Sequence, residues 1–156
     1  MNSTVRPMKP FEVDDVVQLW RKLASDGTLV LDDENLKRFR EFLESLYKED
    51  ESQVLVSEIN GRIVGFLMFM KQARSVLKLR RSRAMITDLY VDEEYRHQGL
   101  AAKLLERCLE YLRSRGVEEV RVSASADNAP AISLYRKLGF TEHMITMSKM
   151  LQPSSY

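Results

Sequence analysis

Apolar and polar residues alternate along the chain in two distinct periods, which separate helical from extended segments. In three stretches apolar residues recur about every 3.6 positions, which predicts amphipathic helices. The first runs from Asp14, a plausible cap, to about Ala24, and the second covers residues 34–47 after Asp32 and Asp33. The third opens near Gly99, and its apolar stripe consists of Leu100, Leu104, Leu105, Cys108, Leu109 and Leu112.

Shorter runs rich in β-branched and aromatic residues predict strands. They cover residues 4–6, 53–59, 62–70, 84–91, 117–123 and 140–151, the last as one strand or a tight pair. Asn60-Gly61 joins the second and third runs and is a strong hairpin signal, so these two should form an antiparallel pair beside residues 84–91. Residues 117–123 follow that central strand through a helix, which predicts a parallel pairing.

The order of these elements predicts one α+β domain over residues 1–152 and a frayed tail at 153–156. A fourth, short helix is expected over residues 128–138, with Pro130 in its first turn and Gly139 at its end. The chain has 156 residues, within the usual range for one domain. The sheet should therefore be mixed and covered by helices on both faces.

The segment from Arg96 to Ala102 has the residues of an anion-binding helix start. The first backbone N–H groups of a helix lack partners within it and lie at the positive end of the helix dipole, so they can hold a phosphate. Gly99 would allow close approach to the backbone, and Arg96 adds a permanent positive charge. The alternative is that this glycine only makes a turn, because such a short string also occurs by chance.

A second motif about thirty residues later favours the anion-binding interpretation of the first. Residues 126–140 contain Asn-x-x-Ala-x-x-Leu-Tyr-x-Lys-x-Gly-Phe, beginning at Asn128. With Arg96-x-x-Gly99-x-Ala101 after a central strand, this resembles the GCN5-related N-acetyltransferase superfamily. The resemblance is most specific from residue 84 to residue 140. It implies a mostly antiparallel twisted sheet with a central parallel strand pair and about four flanking helices, in three layers.

The resemblance also implies an activity and a set of site residues. Members transfer an acetyl group from acetyl-CoA to a primary amine by direct attack, and the cosubstrate lies between two splayed central strands. Leu89 is the first choice for the backbone N–H that stabilises the oxyanion, and Tyr135 for the general acid that protonates the leaving thiolate. The implied acetyl-CoA contacts are Leu89, Tyr90, Val91, Arg96, His97, Gln98, Gly99, Leu100, Ala101, Ala102, Asn128 and Tyr135.

Several of these residues have plainer alternatives. Tyr135 could pack through its ring alone, and Asn128 could simply cap the short helix. The general base is the least certain role, because Thr87 stands where some members of the resembled family carry a glutamate. Asp88, or a water chain near it, is the hypothesis for the base, although Asp88 could equally be structural. Glu142 and His143 are later candidates.

Composition excludes some classes of protein. There are 24 basic and 23 acidic side chains, so the net charge of about +1 argues against a nucleic-acid or membrane binder. Cys108 is the single cysteine, which rules out an intrachain disulfide and suggests no metal cluster. The start lacks a long apolar region, and residues 63–70 are too short to span a bilayer. A cytoplasmic setting and no metal are the expectations.

The acceptor cannot be read from the sequence, and three functions stay open. The first is an N-acetyltransferase acting on a small amine, a peptide N-terminus or a lysine. Acidic clusters at residues 32–34 and 49–51 could attract a cationic amine, although helix capping explains them as well. The second is an acyl-CoA-binding module without catalysis. The third is a nucleic-acid binder that uses a basic connection with Arg74, Lys78, Arg80, Arg81 and Arg83. A homodimer is possible, since dimers are common in the resembled family.

Overall fold

A computed structural model describes residues 2–26, 29–72 and 79–153. The chain divides into two units, Met1–Ser123 and Ala124–Tyr156. The first unit contains a five-stranded sheet and three α-helices, and the second contains one α-helix. The boundary of a single domain at residue 152 stays a prediction.

The sheet of the first unit has its strands in chain order. They are β1 (Ser3–Pro7), β2 (Val54–Ile59), β3 (Arg62–Lys71), β4 (Arg83–Val91) and β5 (Glu119–Val122). Neighbours are antiparallel except β4 and β5, which are parallel. Asn60 and Gly61 both have positive φ, 50° and 76°, as the tight turn between β2 and β3 requires. The predicted mixed, mostly antiparallel sheet with a parallel pair is confirmed.

The α-helices are α1 (Val13–Leu23), α2 (Asp33–Glu49), α3 (Leu100–Ser114) and α4 (Ala129–Lys137). Asp32 caps α2 as expected, because its carboxylate accepts the Asn35 N–H at 2.8 Å. The predicted cap of α1 by Asp14 is wrong. The N-cap residue is Glu12, and Asp14 lies inside the first turn, where it pairs with Arg40 of α2.

The helices of the first unit cover the two faces of its sheet. On one face, α1 and α2 pack against apolar residues of β2, β3 and β4, with the rings of Trp20 and Phe39 stacked at 4.0 Å. The other face is covered by α3, whose residues Leu104, Leu105, Cys108 and Leu112 are fully buried. The Tyr111 ring of α3 contacts Phe69 of β3 at 5.9 Å. This burial gives the helix, sheet and helix layers expected of the fold.

The second unit differs from the prediction. No strand is assigned among the described residues 140–153, so the predicted last strand or strand pair is wrong. The apolar side chains Met144, Ile145, Met147, Met150 and Leu151 are instead 75–89% exposed. The local pattern favours an extended chain, but a strand also needs a hydrogen-bonded neighbour, which a local pattern does not supply.

Candidate active site

The central strand β4 has an open edge. Pairing with β5 joins only Arg83–Ile86 to Glu119–Val122, so residues 87–91 have a partner strand only on the β3 side within the described ranges. The register with β3 shifts between Met68 and Phe69, which leaves Thr87 as an extra residue in β4. The parallel pairing therefore ends halfway along β4, where β5 ends at Val122, and the splaying of the two strands that the resemblance implied stays a prediction.

Backbone groups of Leu89 and Val91 point towards this open edge. Asp92 donates its N–H to the Val64 carbonyl at 2.8 Å, so the backbone of Asp92 faces β3. Backbone groups alternate in direction along an antiparallel strand, and Tyr90 must also face β3 while Leu89 and Val91 face away. The Val91 carbonyl indeed accepts a bond from Arg96 Nε at 2.9 Å. The Leu89 N–H is thus directed to the open edge of β4, beyond the end of β5.

The helix start after β4 presents a group of free donors. Gly99 is the N-cap of α3 with φ of 78°, and His97 also has positive φ, 64°. The backbone N–H groups of residues 97–102 have no acceptor among the described residues, and the first helical bond runs from Lys103 N–H to the Gly99 carbonyl at 3.1 Å. A Cβ at Gly99 would meet no atom within 4 Å. Open space therefore faces a cluster of donors at the positive end of α3.

Arg96 is held at the junction between the strand and the helix. Besides its bond to the Val91 carbonyl, its guanidinium lies 5.3 Å from the centre of the Tyr90 ring. Tyr90 is buried against α1 and α2, whereas residues 96–99 are exposed. The structure thus brings Leu89, Val91, Arg96 and the free donors together along one path from β4 to α3.

The second unit carries the other two predicted site residues. The Asn128 side chain accepts the Ala131 N–H at 3.3 Å, so its capping role is real, and a cosubstrate contact stays a prediction. Tyr135 lies on α4 with its ring 5.9 Å from the Phe140 ring, and burial raises the pKa of its phenol. A phenol with a raised pKa stays protonated at neutral pH, as a general acid must. Beside α4 is an open groove lined by Ala126, Ala129, Ile132, Ser133, Arg136 and Lys137.

The sequence model of the acetyltransferase (GNAT) family matches residues 15–140, which is most of the chain. The chain belongs to the GNAT family. The resemblance carried by the motifs at Arg96 and Asn128 is thereby confirmed. Within the described ranges, no helix has the length and apolarity to cross a membrane, and no group of three or more His, Cys, Asp or Glu side chains could hold a metal ion.

Curated relatives of this GNAT chain include archaeal and bacterial proteins. An uncharacterized N-acetyltransferase of Methanocaldococcus jannaschii is 31% identical over 139 residues, 89% of this chain and 61% of that protein. An N-alpha-acetyltransferase of Sulfurisphaera tokodaii is 33% identical over 110 residues, 65% of this chain and 63% of that protein. The Escherichia coli K12 [ribosomal protein bS18]-alanine N-acetyltransferase is 34% identical over 86 residues, 55% of this chain and 53% of that protein. The chain thus spans less than two thirds of the length of these relatives.

Solved structures with the GNAT fold superpose on this chain. AAC(6')-Iy bound to the bisubstrate analogue CoA-S-monomethyl-acetylneamine gives a TM-score of 0.76 at 16% identity, with 98% of this chain and 100% of that chain covered. The ribosomal-protein-alanine N-acetyltransferase of Brucella melitensis gives a TM-score of 0.75 at 24% identity, with 90% of this chain and 86% of that chain covered. At these identities the likeness concerns the fold, which agrees with the predicted fold class.

The candidate bases of this GNAT chain differ in their surroundings. Asp88 lies beside Met68 on the face of the sheet that α1 and α2 cover, and burial raises the pKa of its carboxyl although a hydrogen bond with Thr87 opposes the shift. A raised pKa makes this carboxylate a better proton acceptor than an exposed aspartate. Glu142 instead pairs with Arg136, and hydrogen bonding to that guanidinium lowers its pKa. His143 lies in the exposed segment after α4.

The charged clusters have structural roles in the described parts of the chain. In the first acidic cluster Asp32 caps α2 and Glu34 pairs with Arg38 at 2.5 Å. In the second, Asp50 accepts bonds from Tyr111 at 2.6 Å and Lys71 at 3.0 Å. Asp50 also caps the 3₁₀ turn of residues 51–53 by accepting the Ser52 N–H at 3.0 Å, so one residue in each cluster acts as a cap, and attraction of a cationic acceptor stays a prediction.

The basic connection is described only in part. Arg74 and Lys78 lie outside the described residues, Arg80 and Arg81 are exposed, and Arg83 pairs with Glu119 at 2.8 Å. An arginine already paired within the sheet is not available as a phosphate contact, which weakens the nucleic-acid interpretation.

Sequence reasoning missed one polar contact at the end of β4. The buried Asp92 carboxylate accepts bonds from Lys22 of α1 at 3.1 and 3.2 Å. The two residues are 70 positions apart, so no local pattern could have paired them. Only the position of Asp92 just before a turn was a signal, and it indicated a cap.

Proposed function

We propose that this chain is an acetyl-CoA-dependent N-acetyltransferase that acts on a primary amine by direct attack. The observation that carries the proposal is the pair of unpaired donor groups that the turn of residues 92–96 joins, one at the open edge of β4 and one at residues 97–102 at the start of α3. An enzyme that binds a long thioester with a diphosphate in its middle needs such a pair. The family assignment supports the same conclusion.

The donor set fits the chemistry of coenzyme A. Residues 97–102 offer N–H groups that carry no competing acceptor, and Arg96 adds a fixed cation, so the diphosphate would be held there. The open edge of β4 would pair with the amide groups of the pantetheine arm as an added strand does. Asn128 is the proposed side-chain contact for the rest of that arm.

Bound acetyl-CoA supplies an acetyl group activated as a thioester. Asp88, directly or through water, would take a proton from the ammonium form of the acceptor, so that the amine nitrogen can form the new C–N bond. The Leu89 N–H would donate to the carbonyl oxygen as negative charge develops there. Tyr135 would then give its proton to the thiolate released when the C–S bond breaks, and the second proton that the nitrogen loses as the amide forms would return to the phenolate through water. The half-buried Tyr135 phenol has a pKa that burial raises, so it stays protonated at neutral pH, which suits this last role.

The acceptor class follows from the relatives rather than from the geometry. Two relatives are named for acetylation of a peptide α-amine or a ribosomal-protein alanine, so a peptide N-terminus is the first acceptor to test. A small polycationic amine is the second, since one superposed structure holds an analogue built on neamine.

A thiol-release assay with acetyl-CoA tests the proposal. The amine panel should include short peptides that begin with Ala, Ser or Met, a lysine-blocked peptide, spermidine and neamine. Burial raises the pKa of the protein's single thiol, Cys108, to about 12, so the protein itself adds little signal. We expect release with at least one acceptor, and its loss in the Tyr135→Phe variant.

One observation favours a second candidate, an acyl-CoA-binding module without catalysis. Thr87 cannot accept a proton from an ammonium, and it occupies the position where some GNAT members carry a glutamate. Calorimetric binding of coenzyme A without thiol release from any amine would support this module. Failure to bind coenzyme A at all would contradict both candidates, and salt-dependent binding of an oligonucleotide would then favour the third.

A further inference from the structure

Asp92 connects three parts of the first unit at the point where β4 ends. Its Oδ1 accepts the Glu93 N–H at 3.0 Å, which caps the short 3₁₀ turn of residues 93–95. Its backbone N–H donates to Val64 of β3, and its carbonyl accepts the Tyr95 N–H at 2.9 Å. The carboxylate is buried and is paired with Lys22 from the last turn of α1.

These contacts fix the direction in which the chain leaves the sheet. The turn is closed by the bond from Arg96 N–H to the Glu93 carbonyl at 3.3 Å, and the Arg96 side chain reaches back to Val91. Residues 97–99, by contrast, donate no backbone bond to the described part of the chain. The preceding turn, which Asp92 caps, therefore determines where the free N–H groups of residues 97–99 lie relative to the edge of β4.

Lys22 adds an electrostatic contribution. A buried carboxylate without a partner would repel the diphosphate of a ligand bound at the following residues, because charges within a low-dielectric surface are weakly screened. The Lys22 ammonium bonds to both oxygens and offsets that charge. It also links α1 to the turn, so the helix on one face of the sheet supports the ligand-binding segment.

On this geometry, and resting on the proposed function, we propose that Asp92 is a positioning residue for the diphosphate of acetyl-CoA and that Lys22 holds and neutralises it. Neither residue contacts reacting atoms. Their effect should fall on the affinity for coenzyme A and spare the rate of the chemical step, because the turn orients only the diphosphate-binding segment.

The matched control is Asp50, which has the same local chemistry elsewhere. Its carboxylate accepts the Ser52 N–H at 3.0 Å as the cap of a 3₁₀ turn, and it pairs with Lys71 at the end of β3. Lys71 is opposite Ala84 near the start of β4, and Asp92 follows the other end of that strand, about 25 Å away along the chain direction. Asp50 also accepts the Tyr111 hydroxyl at 2.6 Å, so Asp50→Ala should cost at least as much stability without touching the ligand-binding turn.

The experiment measures coenzyme A affinity by calorimetry, together with kcat and KM for acetyl-CoA and for S-acetylpantetheine, which lacks the diphosphate. In Asp92→Ala we expect the Kd for coenzyme A to rise about tenfold, kcat to stay within about twofold, and KM for S-acetylpantetheine to stay unchanged. Asp92→Asn keeps an oxygen for the Glu93 N–H and should restore most of the affinity. Asp50→Ala should lower the melting temperature with the Kd unchanged.

Lys22→Met tests the loss of charge compensation apart from the loss of the helical cap, because Asp92 and its bond to the Glu93 N–H remain. It should raise the Kd for coenzyme A, and adding Asp92→Asn to it should recover affinity because the uncompensated charge is gone. The inference is overturned if Asp92→Ala leaves the Kd for coenzyme A within twofold of wild type, or if Asp50→Ala raises that Kd equally. It is also overturned if Asp92→Ala raises the KM for S-acetylpantetheine as much as it raises the Kd for coenzyme A. If wild-type protein fails to bind coenzyme A, the proposed function fails and the inference falls with it.

Discussion

The two glycines that flank α3 allow the diphosphate-binding role of its N-terminus to be separated from its stability. Gly99 precedes the helix with φ of 78°, and Gly116 follows it with φ of 77°. A Cβ at either position would meet no heavy atom within 4 Å. An alanine at either glycine therefore has the same cost, that of a side chain in the left-handed region, about 1–2 kcal/mol.

Because Gly99 and Gly116 match in φ and in surroundings, the expected changes in melting temperature and in coenzyme A affinity can be compared directly. A loss of about 1–2 kcal/mol should lower the melting temperature by roughly 2–8 °C in a chain of this size, equally for Gly99→Ala and Gly116→Ala. Coenzyme A affinity should differ between them. At Gly99 the new Cβ enters the open space in front of the free N–H groups, so we expect the Kd to rise at least about tenfold, whereas Gly116→Ala should leave it within about twofold.

The assay is thermal unfolding by circular dichroism combined with calorimetric titration of coenzyme A into each variant. Equal melting temperatures with unequal Kd values are the expected result. Equal Kd values for the two variants would refute the claim that the backbone around Gly99 approaches the ligand closely, and they would leave this glycine as a turn device only.

Three further predictions concern protonation. Tyr135→Phe should lower kcat about 100-fold at saturating acetyl-CoA with the Kd for coenzyme A unchanged, and an unchanged kcat would remove the phenol as general acid. Asp88→Asn should lose most activity on the low-pH side of the profile, where the acceptor amine is protonated and needs a base. Burial raises the pKa of Asp88, so the loss should fade once the wild-type carboxyl is itself protonated, and an unaltered pH–rate profile would exclude Asp88 as the base. Burial raises the pKa of Glu12, but hydrogen bonds from Arg6 and the Lys9 N–H lower it to below its ordinary value. Its stabilisation is therefore fully present above about pH 4.5 and declines as pH falls through the lowered folded-state pKa, so in urea titrations Glu12→Gln should cost about 2 kcal/mol at pH 7 and less near pH 3. A constant difference between the two pH values would contradict that linkage.

Features encoded in contiguous residues could be predicted from the sequence. The Asn60-Gly61 turn, the cap at Asp32 and the glycine start of α3 each depend on neighbours within a few positions, and the structure places all three as expected. The open edge of β4 could be anticipated only through the family resemblance, because it depends on how far β5 extends.

Features that depend on distant residues could not be predicted. Glu12 is the N-cap residue of α1 in place of Asp14, and its carboxylate is bonded to Arg6 from β1 and to the Lys9 N–H, contacts that no helix pattern contains. The segment 140–151 has the residue pattern of a strand, but a strand requires a hydrogen-bonded neighbour that no local sequence specifies. The pairing of Asp92 with Lys22 links two elements whose proximity exists only in the folded unit.

The central claim is that the backbone N–H groups of residues 97–102 bind the diphosphate of coenzyme A, and amide NMR spectra of ¹⁵N-labelled protein test it directly. Titration with coenzyme A should shift the amide resonances of residues 97–102 more than those of the first unit outside β4, and S-acetylpantetheine should leave the resonances of residues 97–102 largely in place. The account would be contradicted if these resonances stayed unmoved at millimolar coenzyme A.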